Sequence, residues 1–277
     1  MSERHADLLL RKMKKGISWF SMPGDLSVDE KFVLVKKAGF DGVELHTVSS
    51  DGELRELKQK ADAAGLETPS FIETIHWKYP LSSQNIEERA STRRRVELSL
   101  EHAAKIGADT VLCIPGIMRP DRSYKDVYQT ALGEIRLLAN SAERVRVTLA
   151  LENVWNKFLL SPLEFVGFLD EVNSPFVKAC FDCGNSCLYG YPQDWIRTLG
   201  KDKIAKIHVK GFLDHPNPIG FPKSLVSDVP WKSIMEALAD VGYDDYLTVE
   251  IKAEGAQAAD RLFQYSDELS RIIAGTL

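Results

Sequence analysis

Short apolar runs alternating with amphipathic stretches predict an α/β protein, a (β/α)8 TIM barrel in a single domain spanning residues 1–277. Three observations carry this expectation. Eight strand–helix units follow one another with no strand left over. Each unit has the same polarity, an apolar run ending in polar residues and then a helical pattern, often stopped by glycine. The rival arrangement, an open doubly wound sheet, normally carries a glycine-rich turn after its first strand. Here that turn is SMPGDLS, with no GxGxxG.

The units read as follows. Lys15–Met22 is the first strand and Val28–Ala38 its helix, with Ser27 as N-cap and Gly39 as stop. Asp41–Thr47 and Gly52–Ala64 form the second unit, closed by Gly65. The third strand is Leu66–Thr74, with Pro69 early in it because proline cannot donate to a central ladder. A longer loop, Ile75–Asn85, precedes the helix Ile86–Ile106, which stops at Gly107. Asp109–Pro115 and Tyr124–Arg144 make the fourth unit. Val147–Trp155 (VTLALENVW) is the fifth strand, β-branched and apolar like a strand buried on both faces, and Pro162–Val172 follows it. Val177–Asp182 leads to a short helix, Gln193–Leu199. Ile204–Lys210 leads through a Gly- and Pro-rich loop, Phe212–Val229, to Trp231–Val241. Asp245–Lys252 and Ala256–Ala274 close the series.

Composition narrows the function. The formal net charge is −5, and the densest basic cluster, Arg93-Arg94-Arg95, falls in a Glu-rich helical stretch that reads as a solvated face. Nucleic acid is therefore not an expected partner. The Leu8-Leu9-Leu10 run is too short for a signal peptide core or a membrane span, so the expectation is no membrane and a cytoplasmic location. Cys113, Cys180, Cys183 and Cys187 are few and fit a reducing compartment. The CxxC spacing of Cys180 and Cys183 has no second pair to complete a zinc site, so buried thiols are the expected state.

Active sites of such barrels lie at the C-terminal ends of the strands. Polar residues at those ends include Glu44, His46, Glu73, Asn153 and Asn185. Strands five to eight each end in one ligand-type residue: Glu152, Asp182, His208 and Glu250. A carboxylate at the end of a buried strand is expensive unless a cation meets it. Three carboxylates and one imidazole make an oxygen-rich set suited to one divalent metal ion, Mn, Mg, Co or Zn. Taken singly, each of these residues reads as a salt-bridge partner or a wall residue; the order of the four carries the metal reading.

At this point the chain resembles the xylose-isomerase-like TIM barrels of the sugar (phosphate) isomerase/epimerase group. The stretches AGFDGVELH (Ala38–His46), HWKYPLSS (His76–Ser83), GADTVLCIPG (Gly107–Gly116), ALENVW, CFDCGN, KIHVKGF and GYDDYLTVEIK (Gly242–Lys252) carry the likeness. Within the group it is most similar to ketose and ketose-phosphate 3-epimerases. The resemblance implies one metal held by Glu152, Asp182, His208 and Glu250, with Glu152 and Glu250 as the catalytic acid/base pair. The chain departs from relatives at Gly211, where many have Asp, and at Asn185, where some have His. The loop after strand seven offers Lys223 and no Arg.

The expected substrate is therefore a small-molecule sugar or sugar phosphate, epimerised at C3 by two-glutamate proton transfer. His76, Lys210, Asn185 and Trp19 are the candidate substrate contacts, with Glu44 and Glu73 as supporting acids or salt-bridge partners and His46 as an extra-ligand candidate. A homo-oligomer is compatible with all of this. Other readings stay open: an aldose–ketose or hydroxypyruvate-type isomerase, an inosose-type dehydratase, and a non-catalytic sugar-binding barrel. A DNA-repair enzyme of the endonuclease IV type fits less well. It needs a His-rich zinc cluster, and His5, His102 and His215 are poorly placed to build one.

Overall fold

Side chains of a strand point alternately to opposite faces, so in a closed barrel every second residue enters the lumen. The computed structural model describes residues 13–214 and 220–277. His5, Leu8, Leu9, Leu10 and His215 lie outside the described residues. The strands are β1 (Lys14–Ser18), β2 (Gly42–His46), β3 (Ser70–Ile72), β4 (Thr110–Cys113), β5 (Thr148–Glu152), β6 (Val177–Asp182), β7 (Ile204–Val209) and β8 (Tyr246–Val249). All pair in parallel, and β1 pairs with β8 as well as β2, which closes the cylinder.

Among the described residues, eight helices longer than one turn surround the barrel, each after the strand of the same number: α1 (Val28–Lys37), α2 (Asp51–Ala63), α3 (Ile86–Ile106), α4 (Tyr124–Val145), α5 (Pro162–Val172), α6 (Pro192–Lys203), α7 (Trp231–Val241) and α8 (Ala258–Ile273). The apolar core divides as the alternation requires. Leu149 and Leu151 of β5, with Phe181 and Ile207, face the helices in the large outer cluster. Ile72, Leu112, Ala150 and Cys180 form a separate small cluster, the plug of the lumen. At the strands' N-terminal end, Lys206 is buried and its ammonium meets Asp109 at 3.0 Å and Asp245 at 2.5 Å. The opposite end is left for polar side chains.

Local sequence explains most boundaries. Ser27, Ser50, Asn85, Ser123 and Ser161 each accept a hydrogen bond from an amide of the first turn of their helix. Each such cap is worth about 1 kcal/mol. At α1 the pairing is reciprocal: the Ser27 amide donates to Glu30 Oε2 at 2.9 Å. Helix α3 ends on Gly107 at φ 78°, a left-handed conformation with no steric cost for glycine.

The structure is shorter than the sequence pattern at several strands. β1 ends at Ser18, and Trp19–Ser21 turns into a 3-10 helix, so Lys15–Met22 is not one strand. β3 keeps only Ser70–Ile72 of the expected Leu66–Thr74, because Pro69 cannot donate to the ladder; Glu67 makes an isolated bridge to Gly42 instead. α6 begins at Pro192 and runs to Lys203, with Gly200 out of helical geometry. Two turns had no periodic signal: Ile75–Trp77 after β3 and Cys183–Ser186 after β6. Among the described residues, no helix is long and apolar enough to cross a membrane.

Gly211, just past β7, explains one departure from the family pattern. A Cβ built there would lie 2.1 Å from the Ser224 carbonyl oxygen and 2.7 Å from Pro222. The loop backbone occupies the space that a side chain would need. Gly211→Ala is expected to cost about 1–3 kcal/mol through this overlap. Urea unfolding of the variant checks it; unchanged stability would show that the loop does not pack there.

Candidate active site

The four strand ends singled out in the sequence converge. One donor atom from each of Glu152, Asp182, His208 and Glu250 lies within 4.8 Å of the other three. Adjacent parallel pairing produces this. Asp182 and His208 are register partners across β6 and β7, and the Glu250 amide donates to the Val209 carbonyl at 3.0 Å. Glu152 ends β5 beside Cys180 of β6. His208 stands between the glutamates, its Nδ1 3.2 Å from Glu152 Oε1 and 3.8 Å from Glu250 Oε2.

The imidazole is oriented by its other nitrogen. His208 Nε2 is 3.2 Å from the Glu44 carboxylate, and Glu44 in turn accepts from Ser70 Oγ at 3.0 Å. In the tautomer whose Nε2 hydrogen is directed to Glu44, the ring would present its Nδ1 lone pair to the quartet, as a metal-binding histidine does. Glu44 is thus the supporting acid that its strand-end position suggested. Glu73 supports the loop instead: its carboxylate accepts from the Thr74 and Ile75 amides at 2.8 and 2.9 Å and pairs with Arg95 at 3.1 Å.

A second brace fixes Asp182. The Asn153 amide side chain accepts from the Asp182 backbone at 2.7 Å and donates back to its carbonyl at 2.9 Å. Asn185 donates to the Asn153 carbonyl at 2.9 Å, and its backbone amide donates to Asp182 Oδ1 at 2.6 Å. Gly184 allows the close approach of this turn to β7, since a Cβ there would fall 2.5 Å from Lys210 Cγ and 2.8 Å from the Lys210 carbonyl. The bracing role of Asn153 has no signal in the sequence, because it depends on a neighbouring strand.

Charge governs the site. Burial pushes the Glu152 carboxyl up to about 7, and repulsion from Glu250 adds to this. Burial also raises Asp182. For Glu250 burial acts in the same direction but loses to Lys210, which pairs with it directly, so this carboxyl is held well below the usual range. Lys210 Nζ is also 3.2 Å from Asp182 Oδ2. Burial disfavours a charged His208, yet Cys180, Glu44 and Glu152 around it raise its proton affinity. Surroundings that favour a proton on a ligand also favour a metal ion in its place.

The quartet fits a divalent ion. Two donors on opposite sides of one ion, each at 2.0–2.4 Å, lie roughly 4–5 Å apart, and the donors here all lie within 4.8 Å of one another. Asp182 Oδ2 is fully buried and accepts no hydrogen bond of good geometry, its one polar neighbour being the Lys210 ammonium at 3.2 Å. Cys180 and Cys183, three residues apart, face different clusters, and burial keeps both thiols protonated.

Above the quartet opens a cavity of about 350 Å³, within the range of small-ligand sites. Glu152, Glu250, Lys210, Asn185 and His76 line it. His76 is buried, and burial pushes its imidazole down to about 4, so it is neutral at pH 7. It does pack against Trp77, at 5.7 Å between ring centroids, but it is Trp77 that is exposed. Trp19 is not brought to this cavity. It packs on Phe32 and His46, 6.1 and 4.5 Å between centroids, and His46 is held there with it, away from the quartet. The next residue, Phe20, lines the cavity instead, because the 3-10 turn rotates Trp19 outward. Trp155 and Phe221 line it as well, stacked at 4.4 Å between ring centroids. Phe221 lies in a loop with no periodicity, so sequence pattern could not find it.

Comparison with known proteins agrees with this geometry. The L-ribulose-5-phosphate 3-epimerase of Escherichia coli strain K12 is 25% identical over 221 residues, covering 73% of this chain and 75% of that one. A D-psicose 3-epimerase structure from Clostridium cellulolyticum H10, with D-tagatose, superposes with a TM-score of 0.73 at 20% identity, covering 95% of each chain. An L-ribulose 3-epimerase structure superposes at 0.79 with 16% identity, again covering 95% of each. These superpositions show the shared fold. The family described as xylose isomerase-like TIM barrel matches residues 32–272, and the chain belongs to that family.

Proposed function

We propose that the chain is a metal-dependent sugar or sugar-phosphate isomerase/epimerase, and that its reaction is the 3-epimerisation of a 2-ketose. The observation that carries this is the convergence of Glu152, Asp182, His208 and Glu250 at the base of one cavity. The similar proteins named above, all 3-epimerases, favour this reaction over C1–C2 isomerisation, dehydration, phosphodiester cleavage or sugar binding alone.

Glu152, Asp182, His208 and Glu250 would hold the ion. Bound there, a divalent ion supplies Lewis-acid stabilisation of the negative charge that develops on a ketose when the C–H beside its carbonyl loses a proton. The chain's own residues do the proton work. One glutamate takes the C3 proton and becomes a carboxylic acid. The other, protonated beforehand, delivers a proton to the opposite face of C3. No electrons leave the substrate, and exchange with water resets both groups. Glu152 and Glu250 flank His208, which suits them to opposite faces of a ligand. His76, Asn185 and Lys210 are the hydrogen-bonding groups that would position the sugar hydroxyls.

Glu152→Gln and Glu250→Gln should each lower deuterium incorporation at the ketose carbon from heavy water by about 10²–10⁴-fold, with the fold retained by circular dichroism. Undiminished incorporation in either variant removes that residue from the proton transfer.

Dialysis against EDTA should abolish turnover, and Mn²⁺, Co²⁺ or Mg²⁺ should restore it while raising the melting temperature. Full activity in protein shown to be metal-free by elemental assay would end the metal reading.

His76 gives the cavity a pH signature. Its folded pKa of about 4 lies below the ordinary 6.5, so it binds a proton more readily unfolded. Its contribution to stability is therefore complete above pH 6.5 and is lost as pH falls from 6.5 toward 4. Between pH 7 and pH 5 the loss is about 2 kcal/mol. His76→Asn should lose correspondingly less stability over that interval in urea titrations; an equal loss would place the acid sensitivity elsewhere.

A further inference from the structure

We infer that the cavity selects an uncharged ketose over the same ketose carrying a terminal phosphate, an inference that rests on the epimerase reading above. The proteins similar to this chain divide between ketoses and ketose phosphates in their names, so the cavity itself has to decide.

Its charge is on the wrong side for a phosphate ester. Glu152 and Glu250 face the cavity, with Asp182 against Lys210 and Glu44 against His208. Among the described lining residues Lys210 is the one cation, and its ammonium is already held by Asp182 and Glu250. With one glutamate protonated, as the proton transfer requires, a divalent ion and Lys210 balance the other three carboxylates, so no positive surplus remains. A phosphate is ordinarily recognised by Arg or Lys donors free to point at it. A phosphate in this enclosed site would add negative charge with no spare cation to meet it, where screening by solvent is weak.

Among the described residues the rim offers no free cation. Phe20, Trp77, Trp155 and Phe221 form its wall, and Phe221 covers Lys210, whose Nζ lies 5.0 Å from the ring centroid. Lys223, the cation of the loop after β7, is turned to Glu254 at 2.8 Å, and Lys252 also meets Glu254 at 3.3 Å. The part of that loop outside the described residues, HPNPI, has neither Lys nor Arg. What the cavity does present is suited to a neutral sugar. Aromatic faces accept its C–H surfaces, while Asn185, Thr74 and the neutral His76 can exchange hydrogen bonds with its hydroxyls.

The test uses the full chain loaded with Mn²⁺, and a panel of free pentuloses and hexuloses paired with their terminal phosphate esters. Exchange of the C3 hydrogen in heavy water is followed by NMR, and binding of each pair by calorimetry. The free ketose of the best pair is expected to lead in kcat/KM and in affinity by roughly tenfold or more. Phe221→Arg, which places a cation on the rim, should narrow that ratio by improving the ester. An ester that binds as tightly as its free ketose, or tighter, overturns the inference whatever the turnover. If neither member of any pair exchanges hydrogen but the free ketose still binds more tightly, the epimerase reading fails and the charge selection stands. A ratio unmoved in Phe221→Arg overturns the assignment of the rim as the selecting element.

Discussion

Four carboxylates gathered at one end of a barrel must be met by cations or give up their charge, and this constraint organises the upper end of the molecule. Glu44, Glu152, Asp182 and Glu250 are joined there by Lys210 and His208. Lys210 lies against Asp182 and Glu250, and His208 bridges Glu44 to Glu152. These two basic side chains do not meet the acids evenly. Glu250, paired with Lys210, keeps its charge, while Glu152 is driven toward the protonated form by burial and by Glu250. Two carboxyl groups with opposed proton affinities facing one cavity are the arrangement that proton transfer across a substrate requires.

The scaffold contributes rigidity. The quartet comes from strand ends, where ladder hydrogen bonds hold the backbone, rather than from loop tips. Two of the four donors also have a brace from elsewhere in the chain: Glu44 for His208, and Asn153 with the Asn185 amide for Asp182. Gly184 lets the turn after β6 lie against β7 closely enough for Lys210 to reach across. The barrel's other end is closed by a different charge group, Lys206 with Asp109 and Asp245, and the apolar plug of Ile72, Leu112, Ala150 and Cys180 lies in the lumen. Charges at the two ends are thus handled by separate sets of residues.

The aromatic wall of the cavity is held by contacts from distant parts of the chain. Trp155 is anchored through its indole N–H to the Asn185 carbonyl at 3.1 Å, and Phe221 stacks on it from the loop after β7. That loop is seated by the Trp231 indole on the Leu225 carbonyl at 2.7 Å and by Glu268 on the Leu225 amide at 2.6 Å. Its position beside β7 depends on the missing side chain of Gly211. A departure from the family pattern that looked like the loss of an acid is, in three dimensions, the space in which the loop lies.

How much was legible follows from which forces are local. Helix caps at Ser27 and Ser161, the stop at Gly107 and the eight apolar runs are written in short stretches, because capping and alternation act within a few residues. The convergence of Glu152, Asp182, His208 and Glu250 was legible for a related reason: closing a parallel barrel places every strand's C-terminal end on one rim, so polar residues there that face the lumen come together. Tertiary packing alone decided the rest. A 3-10 turn exchanged Trp19 for Phe20 at the cavity, and a neighbouring strand gave Asn153 its role. Charge sharing set Glu152 apart from Glu250, two residues of identical chemistry, because only one of them touches Lys210. Sequence determines what a residue can donate or accept; distance to a partner far along the chain determines which of those capacities is used.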